Sequence, residues 1–187
     1  SSLESITIPD SVTFIGDYAF LLTGILEAHM GRNVKSIGDY AFASCEFLKT
    51  LTISDNLKNE NIGDRAFTYY STYSSSYPPT SIRKIIIPET VQSVASDIYN
   101  LNSVNEFDVR EADTTPYLDD NGVLYDKDTK TLVRYPSCKW NDTNDYTILD
   151  WTETIGEYAF YTCYVKNVTI GNKVTTIGNC AFESCSS

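Results

Sequence analysis

The chain has 187 residues, 42% apolar and 13% aromatic, which is enough to bury a continuous core in one domain and excludes an intrinsically disordered chain. Asp plus Glu total 25 against 14 Lys plus Arg, for a net charge of -11 and a pI near 4.4, so DNA and RNA are repelled at long range and nucleic acid is excluded as the expected partner. No run approaches the roughly 18 apolar residues of a membrane span, and the opening "SSLESITIP" has neither the basic nor the apolar region of a signal peptide.

Six letters recur along the chain. "IGDYAF" stands at 15–20 and again at 37–42, followed by "IGDRAF" at 62–67, "IGEYAF" at 155–160 and "IGNCAF" at 177–182. Ahead of each copy, pairs of apolar residues alternate with polar ones as in a half-buried strand. In chain order these are Ile6 and Ile8, Ala28 and Met30, Leu51 and Ile53, Ile85 and Ile87, Phe107 and Val109, Tyr146 and Ile148, and Val168 and Ile170. Seven rungs are predicted, separated by 22, 23, 34, 22, 39 and 22 residues.

Turn residues follow the strands, as at Pro9-Asp10, Gly31, Ser54-Asp55, Pro88 and Gly171-Asn172, and then comes a branched or apolar residue such as Val12, Val34, Leu57, Val91 or Val174. The hexapeptide glycine suits a sharp turn with positive φ. Its recurrent acid (Asp17, Asp39, Asp64, Glu157) is expected to cap a short helical turn or to stay in water. Ala-Phe supplies one small and one large residue per coil, so Phe20, Phe42, Phe67, Phe160 and Phe182 are expected to stack as an interior ladder, with Tyr99 of the degenerate "VASDIY" standing in.

Two segments break the period. Residues at about 68–81, "TYYSTYSSSYPPT", are about 9 longer than the matching stretch after Phe42, and at about 110–145 the hexapeptide is missing. The latter reads as a β-hairpin on the flank of the coil: Val123 to Tyr125 alternates, "DKDT" turns, and Leu132 to Tyr135 returns before Pro136. A unit of about 22 residues cannot bury its apolar side alone and must stack on copies of itself. The fold class is therefore a repeat solenoid: a parallel sheet of about seven short strands, short helical or irregular returns, and one inserted hairpin. Residues 1–187 are expected to form a single domain. The start just before a repeat and the stop at "AFESCSS" within one predict a piece of a longer array.

"LESITIPDSVTFIGDYAF" and "VKNVTIGNKVTTIGNCAFESC" together carry the pattern L-x-x-I-x-I-P-x-x-V-x-x-I-G-x-x-A-F-x-x-C. In this the chain resembles the BspA-type leucine-rich repeat family over most of its length, and inserted hairpins of the "GVLY...TLVRYP" kind fit the resemblance. The likeness implies an extracellular or cell-surface location, with signal and anchor outside this chain, and a role in adhesion or recognition.

Side chains that signal chemistry are few. The single histidine, His29, aligns with outward strand positions beside Glu27, so it is expected on the surface, and no acid-base or nucleophilic scheme is visible without it. "DDNG" and "DKD" superficially suggest calcium, but a loop counted from Asp119 puts Gly122 at position 4 and Lys130 at position 12, which rejects an EF-hand. Adventitious cations at Asp119, Asp120, Asp126 and Asp128 stand beside the plainer reading of solvated turns. Neither cofactor nor metal is expected. Cys45, Cys163 and Cys185 each follow a repeat Phe by three residues; Cys163 and Cys185 fall on consecutive rungs, where a bridge and a pair of buried thiols are both open.

Two surfaces are candidates for binding. One is the outward row Thr7, His29, Thr52, Ile86, Asp108, Thr147 and Thr169, flanked by Ser5, Glu27, Thr50, Lys84, Glu106, Asp145 and Asn167; the competing reading is that exposed Thr is simply good strand chemistry. The other is the inserted loop, where Tyr69, Tyr73 and Tyr77 stand among serines in a composition suited to contact, although Tyr70 and its neighbours equally fit packing on the coil. The expected function is a non-enzymatic binding or adhesion module whose partner is a protein or glycan on another cell or in the extracellular matrix. The alternative is a structural stalk that presents another domain.

Overall fold

The computed structural model describes residues 3–67, 81–94, 101–110, 115–139 and 144–185. Tyr69, Tyr70, Tyr73, Tyr77 and Tyr99 lie outside these residues, and so does most of the loop that carries the first four.

The first strands of successive coils are β1 (Ser5–Thr7), β3 (Glu27–His29), β5 (Thr50–Thr52), β6 (Lys84–Ile87) and β7 (Glu106–Val109), and they form one parallel sheet in that order. Its register is the one the repeat spacing predicts: Ile6↔Ala28↔Leu51↔Ile85↔Phe107 on the inward side and Thr7↔His29↔Thr52↔Ile86↔Asp108 on the outward side. The inward residues of the three central rungs, Ala28, Leu51 and Ile85, are fully buried. Each fully buried Leu or Ile contributes about 1.5–3 kcal/mol.

The two remaining rungs, β11 (Asp145–Thr147) and β13 (Asn167–Thr169), pair with each other in a separate parallel sheet. The seven rungs are thus divided five and two. What separates them is a three-stranded insertion, β8 (Tyr117–Asp120), β9 (Val123–Asp126) and β10 (Thr131–Arg134), one strand more than the hairpin expected from the sequence.

Between β8 and β9 lies a two-residue turn with φ of 50° at Asn121 and 81° at Gly122. Positive φ at both positions and the Asn-Gly dipeptide are the marks of a type I′ turn, whose twist matches that of the strands it joins. The turn docks against the free side of β7, where the Phe107 N–H donates to the Gly122 carbonyl (3.0 Å) and the Val109 N–H to Asp119 Oδ2 (2.9 Å). A carbonyl and a carboxylate thereby take the place of the next strand.

On the opposite side the chain returns through β2 (Phe14–Ile15), β4 (Ser36–Ile37), β12 (Thr154–Ile155) and β14 (Thr176–Ile177), each made from the start of a hexapeptide. β2 pairs with β4, and Ile37 bridges on to Ile62. β12 lies between β14 and β10, so the last strand of the insertion joins the return side by parallel pairing, Leu132↔Ile155 and Thr131↔Thr154. No α-helix occurs among the described residues; the helical alternative for the returns is met only by a 3-10 turn at Asn59–Asn61.

The hexapeptide glycines do not have positive φ. It is the fourth hexapeptide position that adopts it, with φ between 52° and 57° at Tyr18, Tyr40, Arg65, Tyr158 and Cys180. The glycine is needed for close approach instead: a Cβ at Gly38 would lie 2.2 Å from Asp17 Oδ1 and 2.5 Å from the Asp17 nitrogen, and Gly63 meets the same obstacle at Asp39. The recurrent acid works across coils, since the Asp39 N–H donates to Asp17 Oδ1 (2.9 Å) and the Asp64 N–H to Asp39 Oδ1 (2.7 Å). It caps the neighbouring coil and not a helix of its own.

The aromatic ladder is present. Phe20, Phe42 and Phe67 stack at 4.9 and 5.4 Å, and Phe160 stacks on Phe182 at 4.8 Å. Tyr135 extends the second stack, 5.3 Å from Phe160, and its N–H donates to the Ala159 carbonyl as that of Phe160 does to Ala181. Arg134, 1% exposed, fills the volume beside it and donates to the carbonyls of Tyr158 and Tyr161.

All five cysteines are free. The three that follow a ladder phenylalanine each donate to a carbonyl on the preceding coil: Cys45 to Phe20 (3.1 Å), Cys163 to Tyr135 (3.3 Å) and Cys185 to Phe160 (3.0 Å).

The second cluster of core residues holds ionisable groups that burial keeps neutral. Desolvation pushes the Tyr125 hydroxyl and the Cys163 thiol up to about 12, from ordinary values near 10 and 9. Tyr135 is raised to about 12 for the same reason, and Tyr146, whose hydroxyl lies 2.6 Å from that of Tyr125 and donates to Asp120, is also raised, first by burial and then by the charge of Tyr125. Above pH 9 the unfolded chain loses these protons while the folded chain keeps them, so stability present at neutral pH falls as pH rises from about 9 to 12, by about 1 kcal/mol per pH unit for Tyr125 or Cys163 once each is past its unfolded value. Denaturant titrations at a series of alkaline pH values check this. A Tyr125→Phe variant is expected to lose less on going from pH 10 to 12, and an unchanged slope would remove Tyr125 from the account.

Candidate binding surface

Strand alternation sends every second side chain away from the core, and the parallel register lines those side chains up from coil to coil. Five of the expected row residues, Thr7, His29, Thr52, Ile86 and Asp108, are in register on the five-stranded sheet. Thr147 and Thr169 are in register with each other on the two-stranded sheet, beyond the β8–β9 turn. Tyr69, Tyr73 and Tyr77 lie outside the described residues. The structure thus divides the strip at the insertion.

Within the row the side chains satisfy one another. His29 Nδ1 is 2.7 Å from Thr52 Oγ1, its partner in register, and Nε2 is 3.5 Å from Glu27, two residues back on the same strand face. These are the neighbours that the sheet lattice imposes, on an open and half-exposed strand. Ile86 occupies an outward position yet is only 9% exposed, a small apolar spot in a polar row.

At the β7 end the row becomes charged. Lys84 Nζ lies 2.8 Å from Asp108 and 3.0 Å from Glu106, and Arg110 adds a longer contact to Asp108 at 3.7 Å. Asp108, and then Glu106, hold the Lys84 ammonium above its ordinary range. Beside this triad the turn of the insertion leaves a cleft of about 410 Å³, with Lys84, Glu106 and Asp108 on one wall and Asp119, Asn121 and Lys139 on the other. Lys139 Nζ donates to the Asn121 carbonyl.

Three of the four aspartates considered for adventitious cations are occupied with the chain itself. Asp119 accepts from Val109 and Gly122, Asp120 from Asn121 and Tyr146, and Asp126 from the N–H groups of Asp128 and Thr129. Among the described residues no group of three or more His, Cys, Asp or Glu is arranged to hold a metal ion.

Asn121, Gly122 and Lys139 were not among the expected binding residues. The Asn121-Gly122 dipeptide between two alternating runs was the available signal, because it marks a two-residue hairpin that places Asp119 and Asp120 just ahead of the turn. Lys139 carries no such mark.

Stacked coils of this length, with the Ala-Phe ladder inside and the polar row outside, match a known repeat. A family model described as a BspA type leucine rich repeat region matches in 6 copies, over residues 1–111 and 134–187. The chain belongs to the BspA-type leucine-rich repeat family. The stretch between the matched segments holds β8, β9 and their turn, so the BspA-type pattern breaks where the outward sheet does.

Solved structures agree on the fold. The chain is similar to a leucine-rich repeat protein from Eubacterium ventriosum (26% identity, TM-score 0.65, covering 98% of this chain and 46% of that one). It is also similar to the pneumococcal vaccine antigen PcpA (26% identity, TM-score 0.61, 97% and 48%) and to a leucine rich cell surface protein from Faecalibacterium prausnitzii (25% identity, TM-score 0.55, 98% and 59%). It spans about half the length of these structures. Among curated proteins none matches. No helix among the described residues is long and apolar enough to cross a membrane.

Proposed function

We propose that this BspA-type chain is a non-enzymatic binding module of a cell-surface or secreted protein, and that its outward face recognises a protein or glycan on another cell or in the extracellular matrix. The observation that carries the reading is the register of the outward row. It holds Thr7, His29, Thr52, Ile86 and Asp108 on one rigid polar strip whose spacing is set by backbone hydrogen bonds. Such a strip makes many shallow contacts at once and gains strength from area and from multivalent display. The names of two structural relatives, a vaccine antigen and a cell surface protein, support an exposed location.

The test is binding of the purified protein to an array of matrix proteins and glycans, with a Thr7→Lys/Thr52→Lys variant alongside. Both threonines are on the strip, Thr7 exposed and Thr52 half-exposed. A loss of affinity of about tenfold or more, equivalent to about 1.4 kcal/mol, with unchanged thermal unfolding, is the expected result. If a ligand of the wild-type protein is retained by this variant and lost by Tyr73→Ala/Tyr77→Ala, the site belongs to the loop. No ligand on any array favours the stalk.

A further inference from the structure

The cleft between β7 and the β8–β9 turn has a composition that selects its occupant. Its five charged side chains, Lys84, Glu106, Asp108, Asp119 and Lys139, carry three negative and two positive charges, and most are already engaged. Lys84 sits between Glu106 (3.0 Å) and Asp108 (2.8 Å). Lys139 is held by the Asn121 carbonyl, and Asp119 by two backbone N–H groups. A charged ligand meets little net field here, and at Lys84, Glu106 and Asp108 it competes with ion pairs that already exist.

Lone pairs and N–H bonds are nevertheless left over. Each carboxylate oxygen accepts more than one hydrogen bond and an ammonium donates three. A hydroxyl both donates and accepts, so neighbouring hydroxyls on one sugar ring can use a carboxylate and an ammonium together and leave the existing pairs intact. Bonds of this kind, with one partner ionised, are shorter and stronger than those between neutral groups. The walls are also fixed before any ligand arrives. Gly122 packs so tightly on β7 that a Cβ there would lie 2.8 Å from the Glu106 Cβ, and the turn is bonded to Phe107 and Val109. Little ordering cost remains for binding. A volume of about 410 Å³ falls within the ~300–1,000 Å³ of small-ligand sites.

We propose that this cleft is a glycan subsite that seats an uncharged sugar ring, whose hydroxyls donate to Glu106 and Asp119 and accept from Lys139. The inference rests on the binding reading above and gives it a specific place and ligand class.

The experiment is a titration of the 15N-labelled protein with lactose, cellotriose, mannotriose and chitotriose, with trilysine and triglutamate as charged controls. At least one neutral sugar is expected to shift the amides of Phe107, Asn121 and Gly122 in a saturable way, with a dissociation constant of about 1 mM or below, equivalent to about 4 kcal/mol. Binding is expected to weaken about tenfold in Glu106→Gln and in Lys139→Ala, and to survive an increase in salt to about 1 M, where the Debye length is about 3 Å. Should only the charged peptides bind, or should sugar shifts cluster on Thr7 and Thr52 and ignore both cleft variants, the subsite is wrong. It is equally wrong if no sugar binds. In each of these cases the array experiment still decides the wider binding reading, because it detects protein ligands and uses variants outside the cleft.

Discussion

Gly38→Ala destabilises the protein by about 3 kcal/mol or more, at or above the upper end of ordinary overpacking costs. The new methyl carbon would stand 2.2 Å from Asp17 Oδ1, 2.5 Å from the Asp17 nitrogen and 2.8 Å from the Gly16 carbonyl carbon. Two of the three obstacles are backbone, which no rotamer change removes. Relief requires the first two coils to separate, and separation also breaks the Asp39 N–H bond to Asp17 and the Gly38 N–H bond to the Ile15 carbonyl. For a chain of this size the loss lowers the midpoint of thermal unfolding by about 6–12 °C.

Gly16→Ala and Gly171→Ala are the controls. At Gly16 the nearest obstacle is a Phe14 side-chain atom at 3.7 Å, and at Gly171 nothing lies within 4 Å. Neither residue has positive φ, so both variants are expected to unfold within about 1 kcal/mol of wild type, the range in which Gly→Ala changes act through the unfolded chain. A Gly38→Ala protein that melts with the controls would show that the coils slide apart at little cost, and the close-approach account would fail.

Phe42→Ala is the second large effect, at about 3–5 kcal/mol. Phe42 is 2% exposed and is stacked on both faces, by Phe20 at 4.9 Å and by Phe67 at 5.4 Å. Removing its ring leaves a hole between two aromatic neighbours, of which Phe20 is tied to the next coil by its N–H bond to the Ala41 carbonyl (2.7 Å), so collapse is limited and most of the cavity cost is retained. Phe182, at the far end of the ladder, stacks on one ring only and is half-buried. Phe182→Ala is therefore expected to cost well under the Phe42 figure. Equilibrium unfolding of the two variants measures the difference, and equal losses would mean that neither the deeper burial nor the second stacked ring adds to the central rung. Since each coil touches only its neighbours, hydrogen exchange is expected to rise around the first three coils in Phe42→Ala and to stay near wild type at β11 to β14.

The repeat was legible because the same local problem is solved several times in one chain. Ile-x-Ile alternation, a turn, and Ile-Gly-x-x-Ala-Phe say where each coil pairs, turns and buries its ring, and the register in the five-stranded sheet follows from counting alone. Roles that depend on a neighbouring coil were harder to read. The hexapeptide glycine looked like a turn residue and is a clearance; its acid looked like a local cap and holds the next coil's N–H. Neither contact exists within a single unit.

The candidate site was legible in its outline and illegible at its centre. Thr7, His29 and Thr52 face outward as strand alternation requires, whereas the cleft joins Lys84, Glu106 and Asp108 to Asp119, Asn121 and Lys139. No period relates those two groups, because Asp119 and Asn121 lie in the segment that departs from the repeat. The stand-in of Tyr135 for a ladder phenylalanine was hidden for a similar reason. It follows its return-strand partner Leu132 by three residues, where Phe160 follows Ile155 by five.

The amino-acid sequence by itself determined the solenoid, its rung count, its inward aliphatic and aromatic spine and its outward polar row, since these follow from side-chain period and from the inability of one coil to bury its own face. Only the tertiary structure decided that the rungs divide five and two, that an Asn-Gly turn seals the free side of β7, and that a charged cleft opens beside it. Those outcomes depend on which backbone donors a non-repeating segment reaches once folded, and contacts made only once in a chain leave no periodic mark.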